Sequence, residues 1–127
     1  MAAANFKDLV VWQKTYEISL LTYEITKEFP KSELFGLVSQ MRRAAVSVCS
    51  NIAEGFGRFG PKEKDQFYAI AKGSLTELEC QYLIAKGIGY ISEELSVKTL
   101  LQIDEAQRIL AGLQKANKQN RRVKQIL

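Results

Sequence analysis

Apolar positions recur along this chain at intervals of three and four, and the runs break where glycine and proline cluster. Leu34, Val38, Met41, Ala45, Val48 and Ile52 form the clearest series. That spacing lays one side of a helix against a core. Upstream, Leu9, Trp12, Tyr16, Leu20 and Tyr23 form another stripe, widened by Ile18, Leu21, Ile25 and Phe29. Downstream, Phe67, Ile70, Ala71, Leu75, Leu78, Tyr82 and Ala85 predict the buried side of a third helix. Leu100, Ile103, Ala106, Leu110 and Leu113 predict that of a fourth. Tyr16, Tyr23, Phe67 and Tyr82 fall on these stripes and read as core.

The breaks set the boundaries. Asn5 with Asp8 offers a capping box, so the first helix is expected from there to about residue 29, where Pro30 closes it. Ser32, followed by Glu33, is expected to cap a second helix that reaches about residue 56. Gly55, Gly57 and Gly60 release the chain as an interhelical turn, and Pro61 suits the first turn of the third helix. Gly87 and Gly89 end that helix; Ser92, Glu93 and Glu94 begin the last. From Lys115 the pattern decays. Four helices on short links run antiparallel to their neighbours, so the expected fold is all-α, an up-down-up-down four-helix bundle. Residues 1–117 form the bundle and residues 118–127 a basic tail.

The second helix carries a second face. Gln40, Arg43, Ser47, Asn51, Glu54 and Arg58 also step by three and four. A solvated face is usually rich in long Lys and Glu side chains. This face mixes amides, a short hydroxyl and both signs of charge, which suits a partly buried network against another helix or across a subunit contact. Glu54 and Arg58 are also spaced for a simple helical ion pair. Glu77 and Gln81 on the third helix are candidate partners, and Gly73 and Ser74 are small enough for close helix approach there.

Charge is unevenly placed. The net charge is +4, yet residues 106–127 hold six basic side chains (Arg108, Lys115, Lys118, Arg121, Arg122 and Lys124) and no acid. The rest of the chain has 12 basic against 14 acidic residues. The end is therefore the candidate for attracting phosphates or an acidic protein. Phe59, beside Arg58 and Lys62, is the one aromatic placed among basic residues as base stacking would need.

Candidate catalytic chemistry is sparse. With no histidine, Ser-His and Cys-His nucleophiles are ruled out, as are the Glu-x-x-His pairs of a di-iron bundle. Cys49 and Cys80 form no CxxC pair and read as small helix residues, and no metal site or cofactor is implied. The glycines of residues 55–60 follow a helix, where a dinucleotide-binding loop would follow a strand. No secretion signal or membrane-spanning run is visible, so the expected setting is cytoplasmic.

Several motifs occur in a fixed order: Trp12-Gln13, Phe29-Pro30, Phe35-Gly36-Leu37, the run from Gln40 through Met41, Arg42, Arg43 and Ala44 to Ala45, then Ser47, Ser50-Asn51-Ile52-Ala53-Glu54-Gly55, Arg58, Gly73-Ser74-Leu75 with Glu77, and Gly89-Tyr90-Ile91. Over about residues 6–117 the chain resembles the bacterial four-helix-bundle family of the 23S rRNA intervening-sequence proteins. The resemblance implies a protomer that assembles into a ring, commonly a homopentamer, with no established enzymatic activity. A related branch, the accessory proteins of diversity-generating retroelements, forms a basic pentameric barrel that works with a reverse transcriptase and its RNA. By this likeness Arg42, Arg43 and Arg58 are candidates for a basic surface repeated around a ring. A ring of five would carry about +20.

The resulting expectation is a non-enzymatic homo-oligomer associated with structured RNA or a ribonucleoprotein. Arg42, Arg43, Arg58, Lys118, Arg121, Arg122 and Lys124 are the candidate nucleic-acid contacts. Gln40, Ser47, Asn51, Glu54 and Glu77 are the candidate interface network. The alternative is a protein-interaction scaffold with no nucleic-acid role.

Overall fold

The computed structural model describes residues 4–126, with side chains described for residues 4–120. Asn5 and Asp8 do form a capping box, but it caps a single 3-10 turn, Phe6–Asp8. Leu9 is extended, and the first long helix, α1, spans Val10–Thr26. α2 spans Leu37–Phe56, α3 Pro61–Ile88 and α4 Glu93–Ile126. Among the described residues there is no strand. α1 packs on α2 and α4, and α3 packs on the same two, while among the described residues the backbones of the diagonal pairs stay apart. This is the square, antiparallel bundle that the short links require.

The helix ends follow local chemistry. Ser32 does not cap α2; a 3-10 turn at Lys31–Glu33 intervenes, and Gly36 is the N-cap. The Glu33 carboxylate takes over part of that work, accepting the Leu37 N–H at 3.4 Å and the Tyr90 hydroxyl at 2.7 Å. Tyr90 also packs on Phe29, so one side chain ties the α1–α2 link to the end of α3. Pro61 opens α3, and Gly89 ends it at φ 94°, a left-handed position that a side chain would strain. The Ser92 hydroxyl accepts the Leu95 N–H at the start of α4.

The core holds Val38, Met41, Ala45, Val48 and Ile52 of α2, Ala71, Leu75, Leu78, Tyr82 and Ala85 of α3, and Ile103, Ala106 and Leu110 of α4. Each large aliphatic side chain so buried contributes roughly 1.5–3 kcal/mol. Leu34, the first member of the α2 series, is exposed, because it precedes the helix. On α3, Ile70 is exposed and Tyr68 takes the buried place beside Ala71, while Phe67 is half-buried.

The largest departure from the sequence pattern is α1. Tyr16, Leu20 and Tyr23 point outward, exposed by 45%, 52% and 41%. The buried side is Val11, Thr15, Ile18, Ser19, Thr22, Ile25 and Thr26. Its hydroxyls satisfy themselves on the helix: Thr15, Ser19, Thr22 and Thr26 each donate to the carbonyl four residues back. Ser19 Oγ also lies 3.0 Å from the Ala45 carbonyl, so the small inner side chains let α1 lie close to α2. Thr22 Oγ1 meets the Tyr82 hydroxyl at 2.7 Å, pairing the one polar atom that Tyr82 brings into the core.

α4 is the longest element. Asn117 Nδ2 donates to the Pro61 carbonyl at 2.8 Å and to Asp65 Oδ1 at 2.6 Å, which fixes α4 against the start of α3. The helix then continues through residues 118–126, about 13 Å past that clasp at the usual rise.

Candidate functional site

Two features rise above the packing: the seam between α2 and α3, and the end of the bundle where α2 stops and α3 starts. The seam is built inside one protomer. Ser47 Oγ lies 2.8 Å from Ser74 Oγ, and Asn51 Nδ2 donates to both the Ser47 carbonyl and its hydroxyl. Glu54 pairs with Arg58 at 3.1 Å, and Glu77 accepts from Gln81 Nε2 at 3.1 Å. Gln40 and Arg43 stand exposed beside it. Gln81 is 5% exposed, and its buried Oε1 has no partner among the described residues.

Close approach of these helices is set at Gly55, where sequence reasoning had pointed to Gly73. A Cβ on Gly55 would stand 2.7 Å from the Tyr68 ring, whereas a Cβ on Gly73 would meet nothing within 4 Å. The buried, fully helical setting of Gly55 next to the aromatic pair Phe67-Tyr68 carried that signal, masked by the neighbouring loop glycines.

Apolar side chains left outside the core flank the outer face of α2. Tyr23, Leu34 and Val46 line a groove of about 530 Å³ with Arg42, Arg43 and the 94% exposed Phe35. Trp12 stacks on Tyr16 along the same stripe. On α3, Ile70, Ile84 and Ile88 share a face with Glu77, and all three are about half exposed.

The basic candidates separate into two groups. Arg42 is tied to the end of α1: its Nε donates to Thr26 Oγ1 at 3.0 Å, and its guanidinium lies 4.6 Å from the Tyr23 ring centre. Its Nη2 also reaches the Tyr23 carbonyl at 3.4 Å, which accepts the Lys27 N–H as well. Arg42 and Arg43 sit near the start of α2, about 20 Å along the helix from its far end. Arg58 lies at that far end, stacked over Phe67 at 4.7 Å. Lys62 and the exposed Lys115 and Lys118 belong to the same end. The Lys64 ammonium there donates to the Gly55 and Phe56 carbonyls, closing the last turn of α2. The side chains of Arg121, Arg122 and Lys124 lie outside the described residues, although the α4 backbone carries them on from this end. Glu24, Glu28, Glu33, Glu93 and Glu94 gather at the opposite end, where Glu24 pairs with Lys27 and Glu93 with Lys86.

The titrating groups give no sign of an activated nucleophile. Burial pushes the Cys49 thiol up, against its hydrogen bonds with Ser19 and Thr15, which pull it down. Cys49 is thus a protonated, inert side chain at neutral pH. Burial likewise raises Tyr82 to about 12, with the bond to Thr22 opposing. Among the described residues, no three His, Cys, Asp or Glu side chains gather as metal ligands would, and no helix is long and apolar enough to cross a membrane.

Comparison with known proteins agrees with this geometry. The sequence model of the 23S rRNA-intervening sequence protein family matches residues 7–112. Among solved structures, the bundle matches the crystal structure of a protein of unknown function from the S23 ribosomal protein family of Bacteroides thetaiotaomicron. The TM-score is 0.78 at 22% identity, over 86% of this chain and 98% of the other. A search of curated proteins gave no match.

Proposed function

Since the chain belongs to the 23S rRNA-intervening sequence protein family, we propose that it is a non-enzymatic, self-assembling bundle that associates with RNA through its basic end. The observation that carries this reading is the polarity of the bundle. Arg58, Lys62, Lys115 and Lys118 stand at the end from which α4 continues into Arg121, Arg122 and Lys124. Glu54, Glu63 and Asp65 share this end, Glu54 paired with Arg58, while Glu24, Glu28, Glu33, Glu93 and Glu94 lie at the far end with Arg42 and Arg43. A field of that shape draws a polyanion to one end and orients it.

Self-assembly is the second part of the reading. One protomer carries two unlike apolar stripes, Trp12-Tyr16-Leu20-Tyr23 on α1 and Ile70-Ile84-Ile88 on α3. Unlike patches that meet make a heterologous contact, which closes into a ring when the rotation permits. Five copies is the number that family likeness suggests. Gln40, Arg43, Glu54 and Glu77, exposed between the stripes, would then fix the register of the contact. Such a ring sets several basic ends side by side. Its cytoplasmic setting fits Cys49 and Cys80, which are not bridged.

The test is affinity capture of the full chain from cells, with and without nuclease, read for both RNA and protein. RNA recovered with the chain, and partners lost on nuclease treatment, support the reading. One protein partner that persists after nuclease, with no RNA enriched, would instead establish a protein scaffold.

A further inference from the structure

We infer that the basic end binds an unpaired nucleobase, stacked on Phe59 over the cleft between the α2–α3 loop and α4. This deepens the RNA reading above and rests on it. Phe59 is 98% exposed, held out from the bundle between Gly57 and Gly60. Nearly the whole ring is open to a ligand's face. Behind it opens a cleft of about 420 Å³, walled by Phe56, Pro61, Tyr68 and Leu113 and floored by Asn117. That space is large enough for a planar heterocycle, and its walls are the flat apolar surfaces that such a ring prefers. Asn120 stands exposed on the same lining and brings an amide that can both donate and accept along a base edge.

The charge of this end selects the ligand. Lys64 lines the cleft with its ammonium on the Gly55 and Phe56 carbonyls. Arg58, paired with Glu54, and Lys62 are close to Phe59 in the chain, and Lys115 and Lys118 lie on the outer face of α4. An apolar ring at a basic end fits a base joined to phosphates: the base stacks and the backbone follows the charge. Paired RNA keeps its bases inside the helix, so the ligand is an unpaired nucleotide in a single strand, loop or bulge. The bundle presents no groove-reading element, and stacking of this kind tolerates any base.

The test uses the full chain and a single-stranded RNA oligonucleotide with one 2-aminopurine, followed at once by anisotropy and by 2-aminopurine emission. The same strand annealed to its complement is the control. The inference expects quenched emission on binding and a preference for the single strand. It expects Phe59→Ala to weaken affinity by about 5- to 150-fold, and Phe59→Trp to restore it. Because Phe59 is exposed, Phe59→Ala leaves the bundle folded, which far-ultraviolet circular dichroism checks. Binding seen by anisotropy with unchanged emission and no effect of Phe59→Ala overturns the stacked base and leaves the RNA reading intact. A loss of assembly mass on Phe59→Ala, with RNA affinity unchanged, overturns it in favour of a second copy seated on the cleft. No anisotropy change at low salt overturns both.

Discussion

Gly55 and Tyr68 meet where α2 and α3 cross, so closely that a single methyl group on the glycine would fall 2.7 Å from the tyrosine ring. Tyr68 is 2% exposed and cannot swing into solvent. Phe67 Cβ stands 3.0 Å from the same point, so the ring has a backbone-anchored neighbour behind it. Gly55→Ala is therefore expected to destabilise the fold by about 1–3 kcal/mol through overpacking, despite the better helix propensity of alanine. Gly73→Ala, on the exposed side of α3, is expected to be neutral or slightly stabilising. Paired urea titrations measure both.

Stability at high pH follows from the buried tyrosines. Burial raises Tyr82 to about 12 and also raises Tyr68, while in the unfolded chain both ionise near 10. Between those values the unfolded chain releases protons that the folded one retains. For Tyr82, stability is thus fully present below about pH 10 and is lost as pH rises toward about 12, with a slope approaching 1.4 kcal/mol per pH unit, and Tyr68 acts in the same direction. Tyr82→Phe should flatten that decline. It should cost only about 0.5–1.5 kcal/mol at neutral pH, because Thr22 keeps its bond to the Ile18 carbonyl. Thermal melts of both proteins between pH 8 and pH 12 check it.

The outward stripe of α1 predicts the assembly. Leu20→Arg places a charge on a side chain that is already half exposed, so the protomer is expected to remain folded. The same change should break a contact between copies. Light scattering after size exclusion is expected to show a multiple of 14.3 kDa for the unaltered chain and one protomer for the variant. Ile84→Arg, on the α3 stripe, should do the same. A protomer mass for the unaltered chain would contradict the ring.

The fold was largely legible in the sequence because α2, α3 and α4 obey the simple rule of large apolar side chains inward. Met41, Val48, Leu75, Leu78, Ile103 and Leu110 all occupy the core as their spacing predicts. α1 reverses the rule. Its inner side chains are threonine, serine and only a few aliphatics, and no periodicity count reveals that four hydroxyls close onto their own backbone. The spacing of Ser47 and Asn51 allowed two settings, a facing helix or a subunit contact, and the bonds described run to Ser74 on α3 of the same protomer. The separation of Arg42 and Arg43 from Arg58 was not legible from their types, since it depends on which end of α2 each one occupies.

Charge at the basic end predicts a graded response to substitution. Arg43→Ala, at the other end of α2, should leave RNA affinity nearly unchanged, whereas Lys62→Ala should lower it for every sequence alike. Fluorescence anisotropy on two unrelated RNA strands measures the contrast.

The central claim, that RNA meets the end bearing Arg58, Lys62 and Lys118, is tested most directly by the salt dependence of that affinity. The slope of log affinity against log salt counts the phosphates neutralised. Replacing these three side chains with alanine is predicted to make the slope shallower by about 2, at about 0.7 for each contact with a single strand. An identical slope for the unaltered chain and the triple variant would contradict the account and place the RNA elsewhere on the bundle.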